Sequence, residues 1–357
     1  MEAQPAATGD SAKKRIPELD GLRAVAIAAV FLHHACRAPL LWAGVDIFFV
    51  LSGFLITGIL LERKAKGGAY FRYFYERRVR RILPPYYLAL LLSSLLFGWA
   101  WLHRWYWFAF FATNIGESIR RSHFSLQPLW SLAVEEQFYF VWPVVILLVS
   151  EKNLRRICIA MLFVAPLLRI LCTPLFHNHF PIYFLTPFRA DLLCAGALIA
   201  LLWRDDRVRL AAWSRWGWGL VVVGMAVLGW VSLYPAWRAQ SNTREANGGL
   251  YSITLVISVG LLLWALRGEG WFCAVLRWRP MRYLGFISYS MYLVHTSFIM
   301  LGRQWFGDTT WKIASVAAVM TVAYGSVAWF GWERRILHWG LPSGQALPTA
   351  ETEALHR

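Results

Sequence analysis

Apolar residues dominate this chain in long uninterrupted runs, and the runs have the length that a helix needs to cross a bilayer, about 17 to 25 residues. Ten of them lie near 22–40, 44–61, 83–101, 132–150, 155–175, 187–203, 217–234, 250–266, 284–301 and 312–331. The intervening segments are short and carry most of the charge. This pattern predicts an all-α, polytopic membrane protein with about ten transmembrane helices. The stretch from His103 to Gln127 fits the pattern poorly. Its apolar block, Trp105 to Phe111, is too short to cross and is followed by Asn114, Glu117, Arg120 and Arg121, which predicts a re-entrant or interfacial segment.

Composition agrees. The 357 residues are 58% hydrophobic and include 21 Trp, a profile outside the range of soluble domains. The net charge of +16 would suit a nucleic-acid binder if it were gathered on one face or arm, and it is not, so no nucleic-acid partner is expected. With a cytoplasmic amino terminus, 25 of the 36 Lys and Arg fall in cytoplasmic segments and nine on the other side or at the span ends there, with Arg23 and Arg169 deeper inside spans. That positive-inside bias predicts both termini in the cytoplasm and a multi-pass protein of the plasma (inner) membrane. Residues 1–15 and 339–357 are polar and predict mobile tails around one membrane domain, 16–338. The five cysteines show no Cys-x-x-Cys pair, so neither a disulfide framework nor a metal site is expected.

Candidate chemistry begins with ionisable groups inside these runs, where they are costly enough to suggest function. Arg23 and His34 stand eleven residues apart in the first run. On a helix that spacing is about three turns and about 16 Å, which puts the cation and the imidazole on one face at two depths. His33 lies about 100° away and does not share that face. Read alone, the pair equally fits an arginine that reaches for the membrane surface and a histidine that hydrogen-bonds between helices.

Downstream come Gly44-Val45-Asp46-Ile47-Phe48-Phe49-Val50-Leu51-Ser52-Gly53-Phe54 and Phe74-Tyr75-Glu76-Arg77-Arg78-Val79-Arg80-Arg81-Ile82-Leu83-Pro84. Then follow Trp130-Ser131-Leu132 with Glu135, Glu136, Phe138 and Tyr139, Arg189-Ala190-Asp191, Gly285 with Ser288, Tyr289, Ser290, Tyr292 and His295, and finally Glu333. With Arg-x10-His, this ordered set resembles acyltransferase family 3 over nearly all of residues 15–336. The resemblance implies an integral-membrane enzyme that moves an acyl group, commonly acetyl, from acyl-CoA to a hydroxyl of a sugar, glycan or small molecule. Acyl-CoA is then a co-substrate, and no tightly bound cofactor or metal is implied. The expected acceptor is a carbohydrate or lipid-linked carbohydrate, such as a surface or exported polysaccharide or glycolipid, met in a setting of membrane lipid.

Such a transfer needs a base for the hydroxyl, a polarising site for the carbonyl and a hold on the donor. The family spacing selects His34 as the base. Asp46 either orients that imidazole or caps the second helix. Glu135 is expected in the active-site wall, or else in an ion pair with an in-membrane arginine such as Arg189. Arg23 with Arg77, Arg78 and Arg81 forms the expected donor clamp, since guanidinium groups suit phosphate oxygens. Arg189, Asp191, Ser288, Tyr292 and His295 are candidates for lining the site. A competing class, a transporter or channel for an anionic lipid or solute, would use the same buried polar residues without chemistry.

Overall fold

The computed structural model describes residues 16–119, 124–238 and 240–338, and the two expected polar tails lie outside them. Helices make up the described chain, with no strand among those residues. In chain order they are α1 (Pro17–Cys36), α2 (Gly44–Lys66), α3 (Tyr70–Phe97), α4 (Trp105–Ala109), α5 (Thr113–Ile119), α6 (Leu129–Leu148), α7 (Glu151–Cys172) and α8 (Phe180–Phe184). They continue with α9 (Ala190–Asp205), α10 (Arg207–Ser214), α11 (Gly217–Val231), α12 (Tyr251–Leu266), α13 (Trp271–Arg277), α14 (Arg279–Phe306), α15 (Thr310–Ala328) and α16 (Arg334–His338).

Each of the ten apolar runs falls in a helix, and eight helical stretches among the described residues are long and apolar enough to span a bilayer. The expected runs in α3 and α9 are the two that fall short. The first half of α3 carries Arg72, Glu76, Arg77, Arg78, Arg80 and Arg81, which dilutes its apolar second half, and α9 has only 16 residues. Large apolar side chains face outward elsewhere, among them Phe140, Leu148, Phe163 and Val319, each about 70% exposed or more. A surface of that kind is stable only against lipid. The chain is a multi-pass membrane protein.

Close backbone approach organises the centre. A Cβ added to Gly53 would stand 1.9 Å from the Leu193 carbonyl oxygen, and one added to Gly196 would stand 2.0 Å from that of Val50, so α2 and α9 touch through glycine. Gly285 packs likewise on the Asp20 carbonyl, joining α14 to α1.

Side-chain bonds fix the helix directions. Ser52 donates to Glu135 at 2.7 Å, the Trp142 indole to Thr57 at 2.8 Å and Lys64 to the Ile146 carbonyl at 2.6 Å. Residue numbers rise together along both helices, so α2 and α6 are parallel. Helices α1 and α14 are parallel as well, with Gly285 against the Asp20 carbonyl at one end and His34 beside His295 at the other. Helices α7 and α9 are antiparallel, with Arg155–Asp205 at 2.8 Å at one end and Arg169–Asp191 at 2.8 Å at the other.

The awkward segment after α3 folds as the short pair α4 and α5, reversing at Phe111 with φ +48°. Gln137 of α6 anchors it by donating to the Phe111 carbonyl at 3.1 Å and to the Asn114 amide oxygen at 2.9 Å. The loop before α12, opaque in the sequence, is pinned to the end of α7. There Asn247 donates to the Thr173 hydroxyl at 3.0 Å and Asn242 to the Phe176 carbonyl at 2.7 Å.

Candidate active site

Helices α1, α2, α3, α6 and α14 enclose a cavity of about 100 Å3. Arg23, Arg78, Arg81, Glu135, Ser288 and Tyr292 all line it. Six of the sequence candidates, drawn from four separate helices, thus meet at one place. A narrower cleft of about 20 Å3 shares Arg23, Arg81 and Tyr289 with it and adds Arg80 and Glu333.

The wall is built by short-range chemistry. Glu135 accepts from Ser52 at 2.7 Å with one oxygen and from the Tyr139 hydroxyl at 3.0 Å with the other. The Arg78 guanidinium lies 5.0 Å from the centre of the Tyr139 ring, in cation–π range, and so stands beside that carboxylate system. Arg23 is 3.6 Å from Asp20 one turn back. Glu333 accepts from the Ser290 hydroxyl, which ties the π-helical turn after α15 to α14. Guanidinium groups outnumber carboxylates around this space, so it favours an anion.

Arg77 is not in this group. Its guanidinium donates to the Tyr73 hydroxyl one turn earlier, on a ring that Arg63 also covers at 3.2 Å, and it lines neither space.

Tyr292 closes the far end. Its hydroxyl is 2.5 Å from the Ser131 hydroxyl and donates to the Pro128 carbonyl at 3.2 Å. Beyond it stand His295, with ring centres 5.5 Å apart, and then His34, whose Nδ1 lies 3.3 Å from His295 Nε2. The His34 Nδ1 also lies 2.9 Å from the Val30 carbonyl oxygen. A carbonyl can only accept, so Nδ1 carries the hydrogen, and the acceptor lone pair of the neutral ring is on Nε2. His33 instead turns to the Ala38 carbonyl at 2.9 Å.

Asp46, Arg189 and Asp191 form a separate cluster. Asp46 pairs with Arg189 and accepts from Thr254 at 2.6 Å, while Asp191 pairs with Arg169 at 2.8 Å, and all four charged side chains are buried. The Tyr251 ring packs on both guanidiniums, 4.8 Å from Arg189 and 5.6 Å from Arg169. Arg189 therefore pairs with Asp46 and not with Glu135, and the two Asp46 oxygens go to Arg189 and Thr254. The sequence candidates did not include Ser52, Tyr139, Arg169 or Thr254. Of these, Ser52 and Tyr139 lie in the motifs that carry the resemblance, Arg169 signals itself as a charge inside an apolar run, and Thr254 has no signal.

The described acyltransferase domain family model matches residues 16–330. The chain belongs to that family. It is 30% identical over 344 residues to peptidoglycan O-acetyltransferase OatA of Listeria monocytogenes, covering 87% of this chain and 54% of that protein. It is 25% identical over 369 residues to O-acetyltransferase OatA of Staphylococcus aureus, covering 95% of this chain and 60% of that protein. The chain thus spans a little over half the length of these relatives. No solved structure matches it.

Proposed function

We propose that this protein is a membrane O-acyltransferase that takes an acetyl group from acyl-CoA at its arginine-rich face and passes it to a hydroxyl of a carbohydrate acceptor. The observation that carries the reading is the gathering of Arg23, Arg78 and Arg81 around one cavity whose far wall, Tyr292, adjoins the His295 and His34 pair. The guanidiniums hold the phosphates of the donor, and the thioester reaches toward the imidazoles. His34 Nε2 takes the proton of the acceptor hydroxyl as its oxygen bonds to the acyl carbon. The carbon–sulfur bond then breaks, and the same proton passes to the departing thiolate. The products are an O-acyl ester and free CoA.

Glu135 belongs to the donor wall in this reading. Asp46 belongs to the lock that Arg189, Arg169 and Asp191 complete, and Arg77 leaves the clamp. The acceptor class follows the Listeria relative, whose name specifies peptidoglycan, so a glycan hydroxyl at the cell surface is the substrate proposed.

Sidedness belongs to the same proposal. Parallel α2 and α6 need one crossing between them, which supports α3 as a span, and antiparallel α7 and α9 support α9 as another. With these two the crossings number ten, both termini are cytoplasmic, and His34 lies toward the outer face.

Purified protein incubated with [14C]acetyl-CoA and a peptidoglycan glycan tests the reading. Acceptor-dependent CoA release with label moving to the glycan is expected. Neither release nor transfer from a monodisperse preparation would refute it.

A further inference from the structure

Helices α1 and α14 run parallel and touch backbone to backbone near Gly285, and one consequence of that contact is a pair of imidazoles that meet edge to face. His34 and His295 have ring centres 5.0 Å apart at an interplanar angle of 61°. His295 is buried, and its Nδ1 lies 2.7 Å from the Tyr292 carbonyl oxygen. Nδ1 of His295 must therefore carry hydrogen, which leaves its Nε2 as an acceptor in the neutral ring. That Nε2 is the atom 3.3 Å from His34 Nδ1, whose hydrogen is already committed toward the Val30 carbonyl at 2.9 Å. The Nδ1–H of His34 is shared between the two acceptors.

We propose that His295 is the positioning residue of His34, accepting its Nδ1–H so that Nε2 faces the reacting hydroxyl and the cation formed there is stabilised. This rests on His34 being the base. In hydrolase triads a carboxylate performs the same office, holding one tautomer and supporting the imidazolium. Here the nearest expected carboxylate, Asp46, is engaged by Arg189 and Thr254.

The surroundings make an acceptor at Nδ1 valuable. His33 stands 5.0 Å from His34 ring to ring, and Arg303 donates to the His34 carbonyl at 3.1 Å, so these two neighbours offer positive charge or none. The shared hydrogen bond shortens and strengthens when His34 is protonated, because its donor becomes charged. His295 neither gains nor loses a proton during turnover. The proton taken by His34 Nε2 from the hydroxyl returns to the thiolate from the same atom.

The test compares His295→Gln, His295→Asn and His295→Leu with wild type and with His34→Ala. Glutamine places an amide oxygen near the position of Nε2, whereas asparagine reaches only the position of Nδ1, and leucine offers no acceptor. Acetyl transfer is measured on monodisperse protein together with the KM for acetyl-CoA. His295→Leu and His295→Asn should lower kcat about ten- to a hundredfold with KM unchanged, the loss expected for a hydrogen bond to a charged group. His295→Gln should recover most of that loss. Equal impairment of the glutamine and asparagine variants, or wild-type kcat in the leucine variant, would overturn the proposal. Should His295→Leu fail to fold, the contrast between glutamine and asparagine decides. Activity retained in His34→Ala would instead remove the base itself.

Discussion

Asp46→Ala isolates the cost of breaking the buried charge cluster. Asp46 bonds Arg189 through one oxygen and accepts from Thr254 at 2.6 Å through the other, and both charged side chains are fully buried. Removing the carboxylate leaves the Arg189 guanidinium with the rings of Tyr251, Tyr183 and Phe49 at 4.8 to 5.8 Å and no ion-pair partner of its own. An uncompensated buried charge costs about 3–5 kcal/mol, or roughly two to three and a half powers of ten in the folding equilibrium. The double replacement Asp46→Leu with Arg189→Met removes both charges at similar volume, and replacements of that kind are near neutral or stabilising. The assay is the monodisperse fraction surviving a heating series, read by fluorescence-detected gel filtration, with acetyl transfer measured on the survivors. Asp46→Ala should melt far below wild type, and the double variant should regain both stability and activity. A heat-stable Asp46→Ala, or a stable double variant without activity, would refute the lock and return Asp46 to the chemistry.

Other expectations follow from the same geometry. His34→Ala should abolish acetyl transfer while leaving gel filtration and acetyl-CoA binding intact, and His33→Ala should be much milder, because only His34 meets His295; equal losses in the two would contradict the assignment. Arg78→Gln and Arg81→Gln should each weaken acetyl-CoA binding by about tenfold or more in a direct binding measurement, whereas Arg77→Gln should change it little. Gly196→Leu should destabilise the bundle by at least about 1–3 kcal/mol, since its Cβ would collide with the Val50 carbonyl, while Gly58→Ala, with open space around it, should not alter melting. In a background without the native cysteines, Gly67→Cys and Leu102→Cys should react with impermeant reagents from opposite sides if α3 crosses.

The helices were legible in the sequence because an apolar run of bilayer length has few other folded outcomes. The runs in α3 and α9 are the two whose helices fall short in the structure, because α3 takes in the arginine segment that the sequence pattern set in a loop and α9 is short. Six candidates converge on the cavity because polar groups inside a bilayer collect around one another and around water; most of them were legible only through the ordered motifs of the family resemblance, since each is a weak signal alone. Partner choice was not legible. Asp46 and Arg189 are 143 residues apart, and only the glycine-mediated contact of α2 with α9 brings them together. Arg77 carries the same motif spacing as its neighbours, yet Tyr73 one turn back draws it away. The role of His295 depends on α1 and α14 running parallel, a tertiary fact with no local signature.

The central claim, transfer across the bilayer from an arginine-lined donor cavity to an acceptor at the His34 end, is tested most directly in oriented proteoliposomes. Acetyl-CoA is supplied only on the side of the α2–α3 loop, and the glycan acceptor only on the opposite side. The account predicts acetylated glycan and CoA release in this arrangement, with both lost in His34→Ala. Acetylation only when donor and acceptor share the α2–α3 side would contradict it.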